Sequence, residues 1–195
     1  GSKIMSCCAS RLIRATTAVA FMLLLGCARA HLQIQVKAAQ ARTGAGAGVF
    51  MVGASRIDLT PPPGYPLGGY SIAGAMGAAT YTPILARSIY LEDATGVPLV
   101  LVSADLWSIP EGLTGRVVEL LQASAEFVHI GREHVIIAAT HNHHSPGGFS
   151  TCALYSQFGS YRSGFDPIFF DFIARRIAYA TREAFRTKRV ARIEQ

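Results

Sequence analysis

Two almost continuous apolar runs constrain the fold of this chain more strongly than any other feature. They occupy residues 97–104 and 134–140 and lie on either side of a segment with helical periodicity. Runs without polar alternation are expected for strands that are buried on both faces of a sheet. A strand–helix–strand order favours two parallel strands joined by a crossover. The apolar residues at helical spacing between the runs are Leu113, Val117, Leu120 and Leu121.

Three further segments have the character of strands. Residues 51–59 form a strand pattern that ends at a proline-rich stretch, where the chain must leave the sheet because proline lacks an amide hydrogen. Residues 84–92 are connected to the run at 97–104 by a short polar link that contains Gly96, which predicts a hairpin. A last strand pattern begins at Val190 and stops with the sequence, which predicts the N-terminal portion of a larger protein.

Two helix starts can be predicted from capping residues. Ser108 and Glu111 have the spacing of a capping box, with Ser108 as the N-cap. Asp166 followed by Pro167 predicts the start of a second helix, which continues to about Arg186. The order of strands and helices predicts an α/β fold with a mixed, largely parallel sheet and flanking helices.

The positive charge of the chain is concentrated at its N-terminus. The sequence has 18 Lys and Arg against 12 Asp and Glu, but residues 1–30 contain four basic residues and no acidic one. The remainder is close to neutral, which argues against nucleic acid as a partner. Half of the residues are apolar and 15% are charged, which excludes disorder over most of the chain.

The segment before residue 31 has the organisation of a secretory signal. Arg11 and Arg14 precede an apolar run at residues 15–25, which is shorter than a membrane span requires. Two processing routes remain open. Residues 28–30 offer an A-x-A cleavage site, whereas Leu-Leu-Gly-Cys at residues 24–27 is similar to a lipobox in which Cys27 would be lipidated.

These patterns divide the sequence into three parts. Residues 1–30 are predicted to be a signal peptide, residues 31–48 a flexible linker that ends in glycine and alanine, and residues 49–195 a folded segment truncated at its C-terminus. The protein is therefore expected to be secreted, periplasmic or lipoprotein-anchored at the cell envelope.

A histidine cluster directly follows the second apolar run. His141, His143 and His144 precede Ser-Pro-Gly-Gly at residues 145–148. The carboxyl ends of strands face the ligand crevice in open α/β sheets, and an H-x-H pair leaving a strand places both imidazoles on one side. Two such groups can share a zinc ion or divide into a ligand and a hydrogen-bond donor. The alternative is a polar loop that is rich in histidine.

The histidine motif and several other segments resemble the neutral, non-lysosomal ceramidase family, from about Val52 to the last residue. The hallmark of that family is a strand followed by T-H-T-H-S-G-P-G-G-F, and residues 140–149 are T-H-N-H-H-S-P-G-G-F. The other matching segments occur in the same order along the chain. They are residues 52–60, 68–71, 86–89 and 102–106.

The resemblance implies a zinc-dependent amidohydrolase. By it, residues 49–195 are the N-terminal segment of a ceramidase-like zinc hydrolase domain, His141 is a ligand of the catalytic zinc, and His143 faces the scissile group or the oxyanion. The remaining ligands of the family, a histidine, a glutamate and a tyrosine, lie further along the chain, so the 195 residues alone are expected to be inactive. The implied reaction is hydrolysis of ceramide by a metal-activated water, and the implied partners are the lipid substrate and a membrane surface.

Two alternatives to ceramide hydrolysis remain open. The first is a zinc hydrolase that acts on another lipid amide or ester, because His144 and Ser145 occupy positions where the family has serine and glycine. The second is a lipid-binding relative without catalytic activity, which would lack the ligands further along the chain.

Further candidate residues accompany the two central histidines. Gly69 and Tyr70 match a family loop at the mouth of the active site, and the alternative is a glycine turn with an exposed tyrosine. Asp105 ends the preceding strand at the same edge and is expected either to orient a ligand histidine or to be an ordinary strand-end carboxylate. His144 would crowd the pocket or add a donor. The main-chain carbonyl of Tyr81 aligns with a ligand of a second, structural Ca²⁺ or Mg²⁺.

Overall fold

The computed structural model describes residues 49–192. The predicted signal peptide, the lipobox at Cys27 and the linker lie outside the described residues. Within this range five strands form one sheet in the order β4-β3-β2-β1-β5. The strands are β1 (Phe50–Asp58), β2 (Leu85–Glu92), β3 (Pro98–Ala104), β4 (Val135–Ala139) and β5 (Arg189–Ala191). The α-helices are α1 (Glu111–Gln122), α2 (Ala153–Phe158) and α3 (Pro167–Arg186).

The predicted α/β class with a mixed sheet and flanking helices is confirmed, but the expectation of a largely parallel sheet is wrong. Among the described strands only β3 and β4 are parallel, as the crossover through α1 requires. β2 pairs antiparallel with both β1 and β3, and β5 pairs antiparallel with β1. The sequence indicates that a strand follows α3, but it carries no signal for the edge that this strand joins.

The core lies between the two long helices and one face of the sheet. The apolar face predicted for α1 is confirmed, because Leu113, Val117 and Leu121 are fully buried. Helix α3 contacts β1, β2 and α1 and buries Phe169 and Ile177 among others. Within the part of the chain that the structure describes, no helix is long and apolar enough to cross a membrane.

The second face of the sheet is open to solvent within residues 49–192. In β3 the side chains alternate, with Val100 and Val102 buried and Leu99 exposed. Ile89 and Ile136, which pair with Leu101 on the two neighbouring strands, are also exposed. The expectation that β3 is buried on both faces is therefore wrong for the described residues, because the helices cover one side only.

The two predicted helix starts have different outcomes. Asp166 caps α3 as predicted, and its side chain accepts hydrogen bonds from the backbone amides of Ile168 and Phe169. The capping box at Ser108 is wrong, because α1 begins at Glu111 after an extended Pro110 and has no side-chain cap. A cap at Ser108 would require helical geometry at the residue before Pro110, and the proline ring disfavours that geometry.

Candidate active site

The histidine segment lies beside the end of β3. Strands β3 and β4 end at Ala104 and Ala139, and the residues that follow them stay paired. The amide of Thr140 donates to the carbonyl of Ala104 at 2.9 Å, and the amide of Asn142 donates to the carbonyl of Leu106 at 3.1 Å. These two hydrogen bonds hold the histidine segment against residues 105–107, at the carboxyl edge of the only parallel pair among the described strands.

His141 has an unusual backbone conformation and a fixed ring. Its φ of +60° lies in the left-handed region, which is costly for residues other than glycine and is concentrated at functional sites. The Nδ1 atom lies 2.8 Å from the main-chain carbonyl oxygen of Trp107. Because a carbonyl can only accept, Nδ1 carries a proton, and in the neutral imidazole Nε2 then presents a lone pair, which is the form that binds a metal.

His143 faces this lone pair. The two Nε2 atoms of His141 and His143 are 3.1 Å apart, and the rings meet edge to face at a centroid distance of 4.6 Å. Since Nε2 of His141 has no proton, Nε2 of His143 is the donor. The expectation that both imidazoles lie on one side is confirmed. The alternation of side chains along a strand is not the reason, because β4 ends two residues before His141. The left-handed backbone conformation at His141 sets the arrangement of the two rings.

Gly69 and Tyr70 lie against His143. Gly69 has a φ of +85°, and a β-carbon at this position would come within 2.3 Å of both Nδ1 and Cε1 of the His143 ring. Glycine is therefore required both for the turn and for the close approach. The Tyr70 ring lies 5.2 Å from the His143 ring, edge to face. The predicted role of these two residues in substrate binding stays a prediction.

The loop that carries Gly69 is held in place by main-chain hydrogen bonds. The amide of Gly69 donates to the carbonyl of Gly159 at 2.7 Å, and the amide of Gly68 donates to the carbonyl of Ser145 at 2.8 Å. The amide of Gly147 donates back to the carbonyl of Pro66 at 2.7 Å. The loop, the residues after the histidines and the end of α2 therefore form one framework around His143.

Asp105 makes no hydrogen bond to His141, contrary to one of the two roles considered for it. Its carboxylate accepts hydrogen bonds from Arg87 at 2.9 Å, from the amide of Leu85 at 3.0 Å and from the Thr140 hydroxyl at 3.2 Å. Burial alone raises the pKa of Asp105, but these hydrogen bonds and the Arg87 charge outweigh it and hold the pKa below its ordinary value. Asp105 thus joins three strand ends, and the carbonyl of Trp107 is the acceptor for His141.

His144 and Tyr81 lie on the far side of the histidine segment. His144 and Asn142 line a neighbouring cavity of about 590 Å³, and Tyr81, which is fully exposed, lines the same cavity. The backbone amide of His144 donates to the Asn142 side chain at 2.9 Å. One expectation was that His144 crowds the cavity of His141 and His143. It does not, because His144 lines the neighbouring cavity instead. The structural metal at the Tyr81 carbonyl stays a prediction.

His141 and His143 open into a cavity of about 700 Å³ with a largely apolar wall. The wall includes Trp107, which directly follows β3, and three side chains of α2. The sequence reasoning missed both contributions. The one feature of the sequence that could have indicated α2 is the spacing of the apolar residues Leu154, Tyr155 and Phe158. This segment is too short for its periodicity to establish a helix.

The donor set at this edge fits part of a zinc site. Two imidazole ligands at about 2.0–2.1 Å from a tetrahedral zinc ion stand roughly 3.3 Å apart, close to the 3.1 Å between the two Nε2 atoms. Residues 49–192 contain no group of three or more His, Cys, Asp or Glu side chains that could hold a metal ion. The described residues therefore offer at most two neighbouring side chains for a metal, fewer than the three or so protein ligands of a catalytic zinc.

Comparisons with known proteins point to one family. Residues 50–195 match the sequence profile of the family described as "Neutral/alkaline non-lysosomal ceramidase, N-terminal". The neutral ceramidase of Drosophila melanogaster is 35% identical over 107 residues, which are 54% of this chain and 15% of that protein. Neutral ceramidase B of Dictyostelium discoideum is 33% identical over 122 residues, which are 61% of this chain and 17% of that protein.

A solved structure agrees with these relatives. The crystal structure of neutral ceramidase from Pseudomonas aeruginosa superposes with a TM-score of 0.65 at 28% identity and covers 73% of this chain and 22% of that one. The chain thus spans less than a quarter of the length of the relatives it matches.

Proposed function

The chain belongs to the neutral/alkaline non-lysosomal ceramidase family, and from this we propose that the protein hydrolyses the amide bond of ceramide with the help of zinc. The observation that carries the proposal is the pair of Nε2 atoms of His141 and His143, 3.1 Å apart in an apolar cavity. The neutral ceramidases among its relatives and the predominantly apolar cavity wall support a lipid amide as the substrate.

In this proposal His141 is a metal ligand through Nε2. Its Nδ1–H donates to the Trp107 carbonyl, so the tautomer and the ring orientation are set before a metal binds. The chemistry that zinc would supply there is polarisation of the amide carbonyl and a lowering of the pKa of bound water to about 7, which would make a nucleophile available at neutral pH.

His143 has a different role. Its Nε2–H and a metal ion would compete for the same lone pair, which is that of Nε2 of His141. The Nε2–H of His143 donates to Nε2 of His141 while that lone pair is free. With a metal on that lone pair, the same N–H would have no acceptor in His141 and would be available to the carbonyl oxygen of the substrate. A donor at this oxygen stabilises the negative charge that develops as water adds.

The overall reaction consumes one water molecule for each amide bond. Oxygen from water adds to the carbonyl carbon, the carbon–nitrogen bond breaks, and the leaving nitrogen takes up a proton. The products are a fatty acid and a sphingoid base. Gly69 contributes indirectly, because its missing side chain leaves room for the His143 ring.

The test is hydrolysis of ceramide by the full-length protein that contains residues 49–192, after metal removal and zinc addition. We expect His141→Asn to lower kcat/KM by at least about a hundredfold, because a metal ligand is lost. A panel of other N-acyl lipids and lipid esters decides between ceramide and the alternative substrates. Wild-type activity in His141→Asn would contradict the proposal, and zinc-independent turnover would contradict the role of the metal.

The role of His143 can be tested without replacing it. In Gly69→Ala the new methyl group displaces the His143 ring, and we expect kcat to fall by about ten- to a hundredfold. Gly96→Ala is the matched control, since Gly96 has a similar φ of +80° and a β-carbon there meets nothing within 4 Å. Equal effects of the two substitutions on kcat would show that backbone strain, and not His143, is responsible.

We also propose that the protein leaves the cytosol and acts at the cell envelope or beyond it, because the sequence before residue 31 has the pattern of a signal peptide. Lipidation at Cys27 and cleavage after Ala30 are separated by Cys27→Ser. If the lipobox is used, the variant disappears from the membrane fraction and the wild-type protein does not. If the other route is used, the two proteins fractionate alike.

A further inference from the structure

The apolar wall of the histidine cavity has features of a built surface. Trp107 is 6% exposed and rests on the buried ring of Phe149, with a centroid distance of 6.1 Å. Phe149 in turn contacts Phe169 of α3 at 6.0 Å. The Trp107 ring is therefore fixed by the core of the domain, and it lines the same cavity as the two imidazoles.

Helix α2 supplies the rim of the same cavity. Leu154 and Phe158 are four residues apart, on one face of the helix, and are 60% and 54% exposed. Tyr155 lies next to them and contacts the Trp107 ring edge to face at 5.8 Å. Large exposed apolar side chains that are grouped around a cavity usually mark a binding surface.

The position of α2 relative to the histidines is fixed by backbone contacts. Gly159 ends α2, and a β-carbon at this position would meet the carbonyl of Tyr155 at 2.4 Å and the Trp107 ring at 3.3 Å. The carbonyl of Gly159 accepts from the amide of Gly69, which itself contacts His143. The rim of the cavity and the ring of His143 therefore belong to one rigid framework.

We propose that the surface formed by Trp107, Leu154, Tyr155 and Phe158 binds one hydrocarbon chain of the lipid amide, with the amide group at His141 and His143. This inference rests on the proposed function. The cavity of about 700 Å³ is lined by both imidazoles and by this surface, and among the described residues its hydroxyl-bearing lining residues are Ser71, Ser108 and Tyr155. A straight chain extending from the amide would therefore replace water along an apolar wall.

The single tryptophan of the 195-residue chain makes the surface directly observable. The probes are two sets of amides with a terminal bromine, used below their micelle concentration: N-methyl alkanamides, which carry the chain on the acyl side, and N-alkyl acetamides, which carry it on the amine side. Bromine quenches indole fluorescence at short range, so binding is read without turnover. We expect saturable quenching whose Kd falls by up to about fourfold per added methylene.

Variants at the rim separate the cavity from other apolar surfaces. We expect Leu154→Ala and Phe158→Ala each to raise Kd by about five- to tenfold, because each removes contact area from a partly exposed position. Ile168→Ala is the matched control, since Ile168 is 80% exposed and does not line the cavity, and its Kd should equal the wild-type value. The set of amides that binds more tightly identifies which of the two chains of the substrate lies on the surface.

The inference and the proposed function fail in different ways. In the full-length protein His141→Asn should lose turnover. In the 195-residue chain, where Trp107 is the single tryptophan, the same substitution should keep the quenching, because the hydrocarbon-binding surface does not depend on a metal. Quenching without hydrolysis of ceramide by the full-length protein would overturn the proposed function alone. Hydrolysis without saturable quenching, a Kd independent of chain length, or unchanged Kd values in both rim variants would overturn the inference.

Discussion

The ring of His141 is positioned by a strained backbone and one hydrogen bond. A residue other than glycine in the left-handed region costs roughly 1–2 kcal/mol, and the contact of Nδ1 with the Trp107 carbonyl recovers part of this cost. The chain therefore tolerates a local strain where it needs a lone pair at a fixed position.

This strain can be measured by comparing His141→Gly with His141→Ala. Both variants lose the ring and its hydrogen bond, so the difference between them reports the backbone conformation. We expect the glycine variant to have the higher free energy of unfolding, by about 1 kcal/mol, in urea titrations. At an ordinary position alanine is the more stabilising residue, and that order would contradict a left-handed His141.

The carboxylate of Asp105 should make stability depend on pH. Its pKa is lowered in the folded state, so its contribution is complete above the unfolded pKa of about 3.9 and is lost as the pH falls through the folded pKa. We expect Asp105→Asn to lower the free energy of unfolding by about 1 kcal/mol at pH 7. Asparagine keeps an acceptor for the Leu85 amide, so the ion pair with Arg87 is the main loss.

Urea titrations of the wild type and Asp105→Asn at pH 7, 5 and 3 provide the measurement. The difference between the two proteins should be largest at pH 7, persist at pH 5 and shrink toward pH 3. A difference that is the same at all three values would show that the charge of Asp105 does not contribute.

At the scale of elements, the sequence predicts those that carry local signals and misses those that depend on distant contacts. The Asp166–Pro167 start of α3 and the hairpin of β2 and β3 are confirmed, because a cap and a tight turn are specified by adjacent residues. Helix α2 spans six residues and has none buried, so it shows no periodicity to read. Its position depends on Gly159, which directly follows the helix, and on Trp107, which is distant in the sequence.

The two helix starts give opposite expectations for a similar substitution. Asp166→Ala should lower the free energy of unfolding by about 1 kcal/mol, because two amides at the start of α3 lose their acceptor. Ser108→Ala should change it by less than about 0.5 kcal/mol, since α1 has no side-chain cap. Thermal or urea unfolding of both variants checks this. A loss of about 1 kcal/mol in Ser108→Ala would show that Ser108 caps α1 after all.

For the whole molecule, the sequence predicts the class of the fold better than the arrangement of its sheet. Apolar runs and helical spacing identify the strands and helices, but strand direction depends on which edge each strand joins. The antiparallel β5 at the far edge shows this, because three residues of strand carry no signal for a partner.

The candidate site, like the fold, could be predicted only in part from the sequence. The sequence identifies His141, His143, Gly69 and Tyr70 because they form short motifs, and the structure brings these four residues together. It does not identify the Trp107 carbonyl as the partner of His141, because any residue has a main-chain carbonyl and only the fold selects one. Likewise, it does not predict that the turn at His143 and His144 places the two neighbouring side chains in different cavities.

The central claim is that Nε2 of His141 binds the zinc ion that the proposed hydrolysis requires. An anomalous difference map at the zinc edge, from crystals of the full-length protein grown with one equivalent of zinc, tests it most directly. We expect a peak about 2.0–2.1 Å from this atom, with Nδ1 still bonded to the Trp107 carbonyl. Zinc bound elsewhere, with His141 paired only to His143, would contradict it.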